Sequence, residues 1–350
     1  VSDLESSLRD LLVIPSVSGE EDAIADYVVA RLATKSDWRV DRVGNTVIAH
    51  RDGGPGPRLL LCGHLDTVPG DQGVDEDTDC FYGLGVCDMK GGLAVMLSLA
   101  DRHCALPMTM VFYPCEEVAF ERNGLHLLGP AEAMVADHDL AVLLEPTDGV
   151  VELGCQGSLR LRLELAGRRA HTSRPWMGVN AIDRVGELLA RATDFERRRP
   201  LLAGVHFQES LSPTRVESFV ANNVVPDRAR LWLNYRFAPD LSGEQALEQL
   251  FEWLRPVLGD DDLLEAEEVV EGAAPVQEGF EALIESAGQV RAKLGWTDVS
   301  FLSSLGVPSV NFGPGDPLLA HGGNERLEKV KLHSSLETLA SWIDSVAASV

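Results

Sequence analysis

The sequence predicts an α/β domain interrupted by an inserted α+β domain. Three observations carry that expectation. Apolar runs alternate with helical patterns in the first part of the chain, strictly alternating strands take over in the middle, and the helix–strand alternation resumes after Gly279. Unbroken apolar strands belong to a sheet covered on both faces, whereas alternating ones belong to a sheet with one wet face.

In chain order, Ser18 followed by Glu21 matches a capping box and opens a helix running through Tyr27 to Leu32. Trp38 to Arg42 and Thr46 to His50 read as strands around a turn at Gly44-Asn45. Arg58 to Cys62 is a nearly continuous apolar strand, followed by a helix from about Gly91 to Ala100. Strands at Met108 to Tyr113 and Leu140 to Leu144 complete this part. In the middle, Leu159, Leu161, Leu163 and Leu165 alternate with polar residues, as do Leu231, Leu233, Tyr235 and Phe237. Helices fall at Ala181 to Ala192 and Glu244 to Leu254, the second capped by Ser242 with Gln245. The last part reads as a helix through Leu294, a strand at Ser309 to Phe312 and a final amphipathic helix from Leu332. The domains are therefore expected at residues 1–156 and 268–350 for the interrupted one, and 157–267 for the insert.

Composition narrows the function classes. The chain has 350 residues, enough for two cores, with 45% hydrophobic and 24% charged residues, ordinary for a globular protein. No apolar run approaches the ~20 residues of a membrane span. Val1 to Arg9 show no basic segment followed by an apolar stretch, so the expected location is cytoplasmic. A net charge of −25 argues against nucleic-acid or anionic-membrane partners. The six cysteines lack C-x-x-C spacing, which excludes a disulfide framework or zinc knuckle and fits a reducing compartment.

Four clusters capable of chemistry fall where strands should end, the position of active sites in open α/β sheets. The first is His64-Leu65-Asp66, where the carboxylate can hold one imidazole nitrogen while the other binds a metal. The second is Asp88 in the glycine-rich stretch Gly83 to Gly92. A carboxylate in place of the third glycine would repel pyrophosphate, so this loop suits a cation better than a nucleotide. The third is Glu116-Glu117, one carboxylate available as ligand and the other as general base. The fourth is Glu145-Pro146-Thr147, and far downstream stands His321 after a second glycine-rich stretch. Each alone has an ordinary structural explanation. Together they supply a donor set suited to two zinc-class ions.

H-L-D-T-V-P, D-M-K-G-G, E-E, E-P-T, G-R-R-A-H-T-S-R-P, N-N-V-V-P and the late histidine, in this order, resemble the dinuclear zinc amidohydrolases and exopeptidases. That superfamily includes desuccinylases, acetylornithine deacetylase, aminoacylase and carboxypeptidase G. The resemblance implies a three-layer α/β/α catalytic domain of zinc-exopeptidase type, with a ferredoxin-like insert that acts as lid and dimerisation domain. It implies two zinc ions, with cobalt as an alternative. Asp88 would bridge them in a loop with a cis peptide, His64 and Glu145 would complete one site, and Glu117 and His321 the other. Glu116 would be the general acid/base, Asp66 would orient His64, and His171 would reach a partner subunit's active site in a homodimer. Asn222, Arg236 and Ser158 would hold the substrate, a small N-acyl amino acid.

Within the superfamily, Gly295 to Ser300 and Val310 to Pro317 resemble the actinobacterial desuccinylases. That branch implies hydrolysis of N-succinyl-LL-2,6-diaminopimelate. Leu84, Cys155-Gln156-Gly157-Ser158 and Phe301 depart from residues common in the branch. Other deacylases or dipeptidases of the superfamily, a silent binding relative, and a cysteine hydrolase acting through Cys115 are the alternatives.

Overall fold

The computed structural model describes residues 3–349. The chain divides into two compact units. The first combines the chain up to Gly154, Val276–Arg291 and the chain from Phe301 onward; the second comprises Cys155–Pro275 and Ala292–Ser300. The sequence reading drew its second boundary at 267/268. The second unit reaches further because Ala273 bridges to Cys155 and because Trp296 and Ser300 both donate to the Glu271 carbonyl.

The first unit begins with α1 (Asp3–Leu12), whose Leu4, Leu8, Leu11 and Leu12 form a buried stripe at helical spacing. Next comes α2 (Asp22–Ala33), which the expected capping box does not open. The Ser18 hydroxyl instead donates to Asp66 (2.7 Å), and Glu21 accepts the Gly19 amide (2.6 Å). β1 (Arg39–Val43) and β2 (Thr46–Arg51) form an antiparallel pair. β3 (Leu59–His64), α3 (Gly91–Ala100), β4 (Met108–Tyr113), β5 (Leu140–Leu143) and β6 (Val151–Leu153) follow.

The second unit holds β7 (Gly157–Ala166), α4 (Ala181–Thr193), β8 (Ser210–Glu217), β9 (Arg228–Phe237), α5 (Gly243–Leu254) and β10 (Leu263–Val270). The chain returns through α6 (Glu281–Ala287), β11 (Val290–Ala292), β12 (Ser309–Asn311) and α7 (Lys329–Ala348). The helix expected to run through Leu294 stops at Ala287. Gly288 takes a left-handed φ of 71° and its amide turns back onto the carbonyls of Ile284 and Glu285.

The large sheet of the first unit runs β1-β2-β4-β3-β5-β12-β6-β11. Its centre, β4-β3-β5-β12, is parallel, with antiparallel neighbours β2 and β6. Every residue of β3, β4 and β5 is buried, as a sheet covered on both faces requires, and α3 is buried all round. The four parallel strands present their carboxyl ends to one edge.

The second unit is a four-stranded antiparallel sheet, β8-β9-β7-β10. The leucines of β7 and the apolar residues of β9 share one face, where Val185 and Leu188 of α4 and Leu250 and Leu254 of α5 complete the core. Ser242 and Gln245 form the predicted reciprocal capping box of α5. Among the described residues, no helix is long and apolar enough to cross a membrane.

Candidate metal centre

β3 ends on His64, which is 1% exposed. Its Nδ1 lies 3.0 Å from the main-chain carbonyl of Asp66 and 3.4 Å from that residue's Oδ1. The carbonyl can only accept, so Nδ1 carries the hydrogen. Nε2 then faces Asp88 Oδ1 (3.0 Å) and Glu145 Oε1 (3.9 Å). The sequence reading gave the ring to the Asp66 carboxylate, but the backbone carbonyl is closer. The carboxylate is engaged elsewhere, accepting the Ser18 hydroxyl (2.7 Å) and the amides of Glu116 (3.0 Å) and Glu117 (3.0 Å). By binding two consecutive amides it ties the loop after β4 to the end of β3. Glu21 takes the preceding amide, that of Cys115 (3.2 Å).

Asp88 stands just before α3, followed by a cis peptide bond to Met89. Its Oδ1 faces His64, and its Oδ2 lies 3.4 Å from His321 Nε2. That same His321 nitrogen is 2.7 Å from Glu117 Oε1. One carboxylate therefore stands between two histidines, each with a further carboxylate of its own: Glu145 beside His64 and Glu117 beside His321. Donor atoms of His64, Asp88 and Glu117 all lie within 4.8 Å of one another. Imidazole nitrogen and carboxylate oxygen at such closeness form a donor set that fits a zinc-class cation.

The glycines after β12 let the chain press against these loops. A Cβ on Gly313 would sit 2.5 Å from the carbonyl oxygens of Leu144 and Glu145, and one on Gly315 2.6 Å from that of Cys87. Thr147 pins the contact, its hydroxyl donating to the Gly313 carbonyl (3.1 Å) and accepting the Gly313 amide (3.0 Å).

Protonation follows the crowding. Burial pulls His64 toward its neutral form, yet Asp66 and Asp88 hold its pKa well above the usual imidazole value. Burial pushes the Asp66 carboxyl up, and His64 and Ser18 outweigh it, bringing the carboxyl down to about 2. Asp88 is partly buried, which raises its carboxyl, and His321 and His64 outweigh that and hold it well below the usual range. Beside Asp88 and Glu117, His321 rises to about 10. In the chain alone, protons on the two histidines balance the carboxylates, and a cation would take their place.

The family model of peptidase family M20/M25/M40 matches residues 60–345. The chain belongs to that family. This M20-family chain is 42% identical over 342 residues to a protein of Mycobacterium tuberculosis strain H37Rv provisionally named succinyl-diaminopimelate desuccinylase DapE, covering 95% of the chain and 96% of that protein. To the succinyl-diaminopimelate desuccinylase of Corynebacterium glutamicum it is 38% identical over 331 residues, covering 90% of the chain and 89% of that protein. Its fold is similar to that of a tripeptidase of Staphylococcus aureus, with a TM-score of 0.80 at 19% identity and 99% of both chains covered. The M20-family chain is a hydrolase with a mixed α/β fold.

The other residues singled out from sequence lie in the second unit of this M20-family chain. His171 ends a short strand paired with Val224–Val225, which brings it beside the exposed turn that carries Asn222. The His171 Nδ1 accepts the Ser173 amide (3.1 Å), so a neutral ring carries its hydrogen on the other nitrogen, Nε2. Ser158 and Arg236 stand directly opposite each other on β7 and β9, on the face away from the helices. Arg236 is half-buried, and that burial lowers its guanidinium from its usual pKa.

Burial and the neighbouring Glu21 push the Cys115 thiol up to about 11, which leaves little nucleophilic thiolate near neutral pH and removes support from the cysteine-hydrolase alternative. The sequence reading missed Glu325. It is 1% exposed and accepts the amides of Gly85, Cys87 and Asp88. A carboxylate that binds distant backbone has no local signature; the only cue was its place four residues after His321.

Proposed function

We propose that this M20-family hydrolase cleaves the amide bond of N-succinyl-LL-2,6-diaminopimelate, releasing succinate and LL-2,6-diaminopimelate for lysine and cell-wall precursor synthesis. The observation that carries the reading is 38% identity, over 90% of the chain, to a protein bearing that activity as its name. In this reading His64 and Glu145 would hold one divalent cation and Glu117 and His321 a second, with Asp88 available to both. Zinc suits these donors, with cobalt as the alternative.

When bound, such ions polarise the scissile carbonyl and bring the pKa of an attacking water toward ~7. Glu116 takes that water's proton and returns it to the departing amine nitrogen. Asp66 supports this role because it fixes the Glu116 amide and, through its own carbonyl, the His64 ring. His171 offers its Nε2 hydrogen to the carbonyl oxygen as negative charge develops there. Arg236, with Ser158 opposite and Asn222, holds the substrate's carboxylates, for which a planar guanidinium is the fitting donor.

The second unit serves as lid and homodimer surface, His171 acting in the partner's site, and the enzyme works in the cytoplasm. Mixing His171→Ala with Glu116→Gln subunits restores activity if catalysis crosses subunits. Lack of recovery in heterodimers overturns that arrangement.

The decisive experiment is a hydrolysis panel on metal-depleted protein with and without added zinc. It would hold N-succinyl-diaminopimelate, N-acetylornithine, other N-acyl amino acids and dipeptides. Zinc-dependent turnover concentrated on the succinyl substrate is expected. Preference for another member rejects the substrate and keeps the chemistry, and no turnover of any member rejects both.

A further inference from the structure

Where the chain turns from Gly83 toward α3, the backbone amides of Gly85, Cys87 and Asp88 converge, a grouping that attracts an anion. The anion is supplied by the protein. Glu325 Oε2 accepts the Gly85 amide (3.1 Å), and its Oε1 accepts those of Cys87 (2.8 Å) and Asp88 (3.1 Å). The clamp is itself held. Gln72 donates its side-chain amide to the Glu325 carbonyl (2.7 Å) and accepts the Glu325 amide (3.2 Å). The Gly83 amide reaches the same carbonyl (3.4 Å). His321, four residues earlier on this segment, lies 3.4 Å from Asp88 Oδ2. One short stretch thus offers a histidine to the Asp88 carboxylate while fixing the Asp88 backbone.

We propose that Glu325 is a positioning residue for the cation site: it sets the place of the Asp88 carboxylate and adds negative charge behind it, and so controls affinity for a divalent cation. The inference rests on the reading of Asp88 as a metal ligand. Glu325 touches neither substrate nor the reacting atoms in this account and acts only through Asp88. Partners of metal ligands in comparable positions change affinity by about 10–100-fold when removed.

Glu325→Gln keeps the side-chain volume, removes the charge and sets an NH2 group against at least one of the three amides. The test is a zinc titration of metal-depleted, full-length protein against a chromophoric chelator. It compares wild type with Glu325→Gln, Glu325→Asp, Gln72→Ala, Asp88→Asn and Glu209→Gln. The last is a control for general destabilisation. Glu209 is fully buried in the second unit, where it accepts the Tyr235 hydroxyl (2.9 Å) and the Ala238 amide (3.1 Å).

Glu325→Gln is expected to weaken zinc binding by about 10–100-fold, Glu325→Asp and Gln72→Ala by less, and Glu209→Gln not at all. If Glu325→Gln fails to fold, the Asp and Gln72 variants carry the test. Wild-type affinity in all the Glu325 and Gln72 variants, with Asp88→Asn weakened, overturns the role of Glu325 and leaves the metal reading standing. Wild-type affinity in Asp88→Asn overturns both. Equal weakening in the Glu325 variants and Glu209→Gln also overturns the inference, because the effect would then be loss of stability.

Discussion

Replacing Asp66 by Asn in metal-depleted protein tests how the end of β3 is joined to the loop after β4. The carboxylate is fully buried and accepts three hydrogen bonds, from the Ser18 hydroxyl and the amides of Glu116 and Glu117. In Asn one of its oxygens becomes an NH2 group. Whichever way that amide is turned, the NH2 faces the hydrogen of Glu116 or that of Glu117. A charge-assisted bond is lost and a buried donor stranded, about 1–3 kcal/mol. Titration reports a wider set of contacts, with His64 first among them and Ser18 after it. A carboxyl that ordinarily titrates near 3.9 and here titrates at about 2 contributes about 2–3 kcal/mol. The second figure includes His64 and overlaps the first through Ser18 and the Glu117 amide, so the two are not added.

The sign follows from the direction of each shift. The lowered Asp66 pKa makes its contribution complete above pH ~4 and lost as pH falls toward 2. The raised His64 pKa makes the imidazole's contribution complete below pH ~6.5 and lost as pH rises through its elevated folded value. The deficit of Asp66→Asn is therefore greatest between about pH 4 and 6.5. Hydrogen exchange at the Glu116 and Glu117 amides, read near pH 6, should quicken by about 5–150-fold, the equivalent of about 1–3 kcal/mol. Exchange within about threefold of wild type at both amides would refute the reasoning.

Three further outcomes are expected. Glu116→Gln should bind zinc as wild type does and lose about 10²–10⁴ in kcat; full activity in a zinc-loaded variant removes Glu116 as the base. Because His64 and His321 both hold their protons more tightly than ordinary imidazoles, loading zinc onto metal-depleted protein near pH 7 should release protons, and affinity should rise with pH toward about 10. Calorimetry in buffers of different ionisation enthalpy reads this release directly, and a buffer-independent heat contradicts it. Gly313→Ala would force its new methyl against two backbone carbonyls, costing about 1–3 kcal/mol. Its thermal unfolding should come at a lower temperature than wild type, with zinc binding weakened through the displaced Glu145.

The parts of this molecule that sequence made legible are those where local pattern and tertiary burial demand the same thing. Met108 to Tyr113 reads as a strand because a central strand buried on both faces is almost wholly apolar, and it is one. Ser242 and Gln245 form the capping box that their spacing predicts, because both bonds close within one turn of exposed chain. At Ser18 and Glu21 the same local pattern fails, since Asp66 and the Cys115 amide offer buried partners that a helix terminus in water does not. The stripe of α1 was present in Leu4, Leu8 and Leu11 but lay in a stretch dominated by charge. At the site, His64, Asp88, Glu117, Glu145 and His321 were visible as chemistry at strand ends, and the structure brings them to one edge of the sheet. Their neighbours were hidden. Glu325 and the Asp66 carbonyl work through backbone groups, and backbone groups carry no residue identity.

The position of β12 has a consequence for how the molecule is made. It lies between β5 and β6, strands that end more than 150 residues before it begins. During synthesis, the flank of Leu140–Leu143 that β12 will cover must wait for about 165 further residues, roughly 8–33 s at ribosomal rates. Most of the second unit, contiguous from Cys155 to Pro275, emerges in that interval and can fold first. The host sheet is thus finished after its guest. Until β12 arrives, the nascent chain carries an open, wholly apolar strand edge, and the loops that gather Asp88 and Glu145 lack the Gly313–Gly315 segment that presses them together. A chain released prematurely near residue 300 would be an aggregation hazard and would lack both β12 and His321, so the metal centre is complete only once those residues have been made.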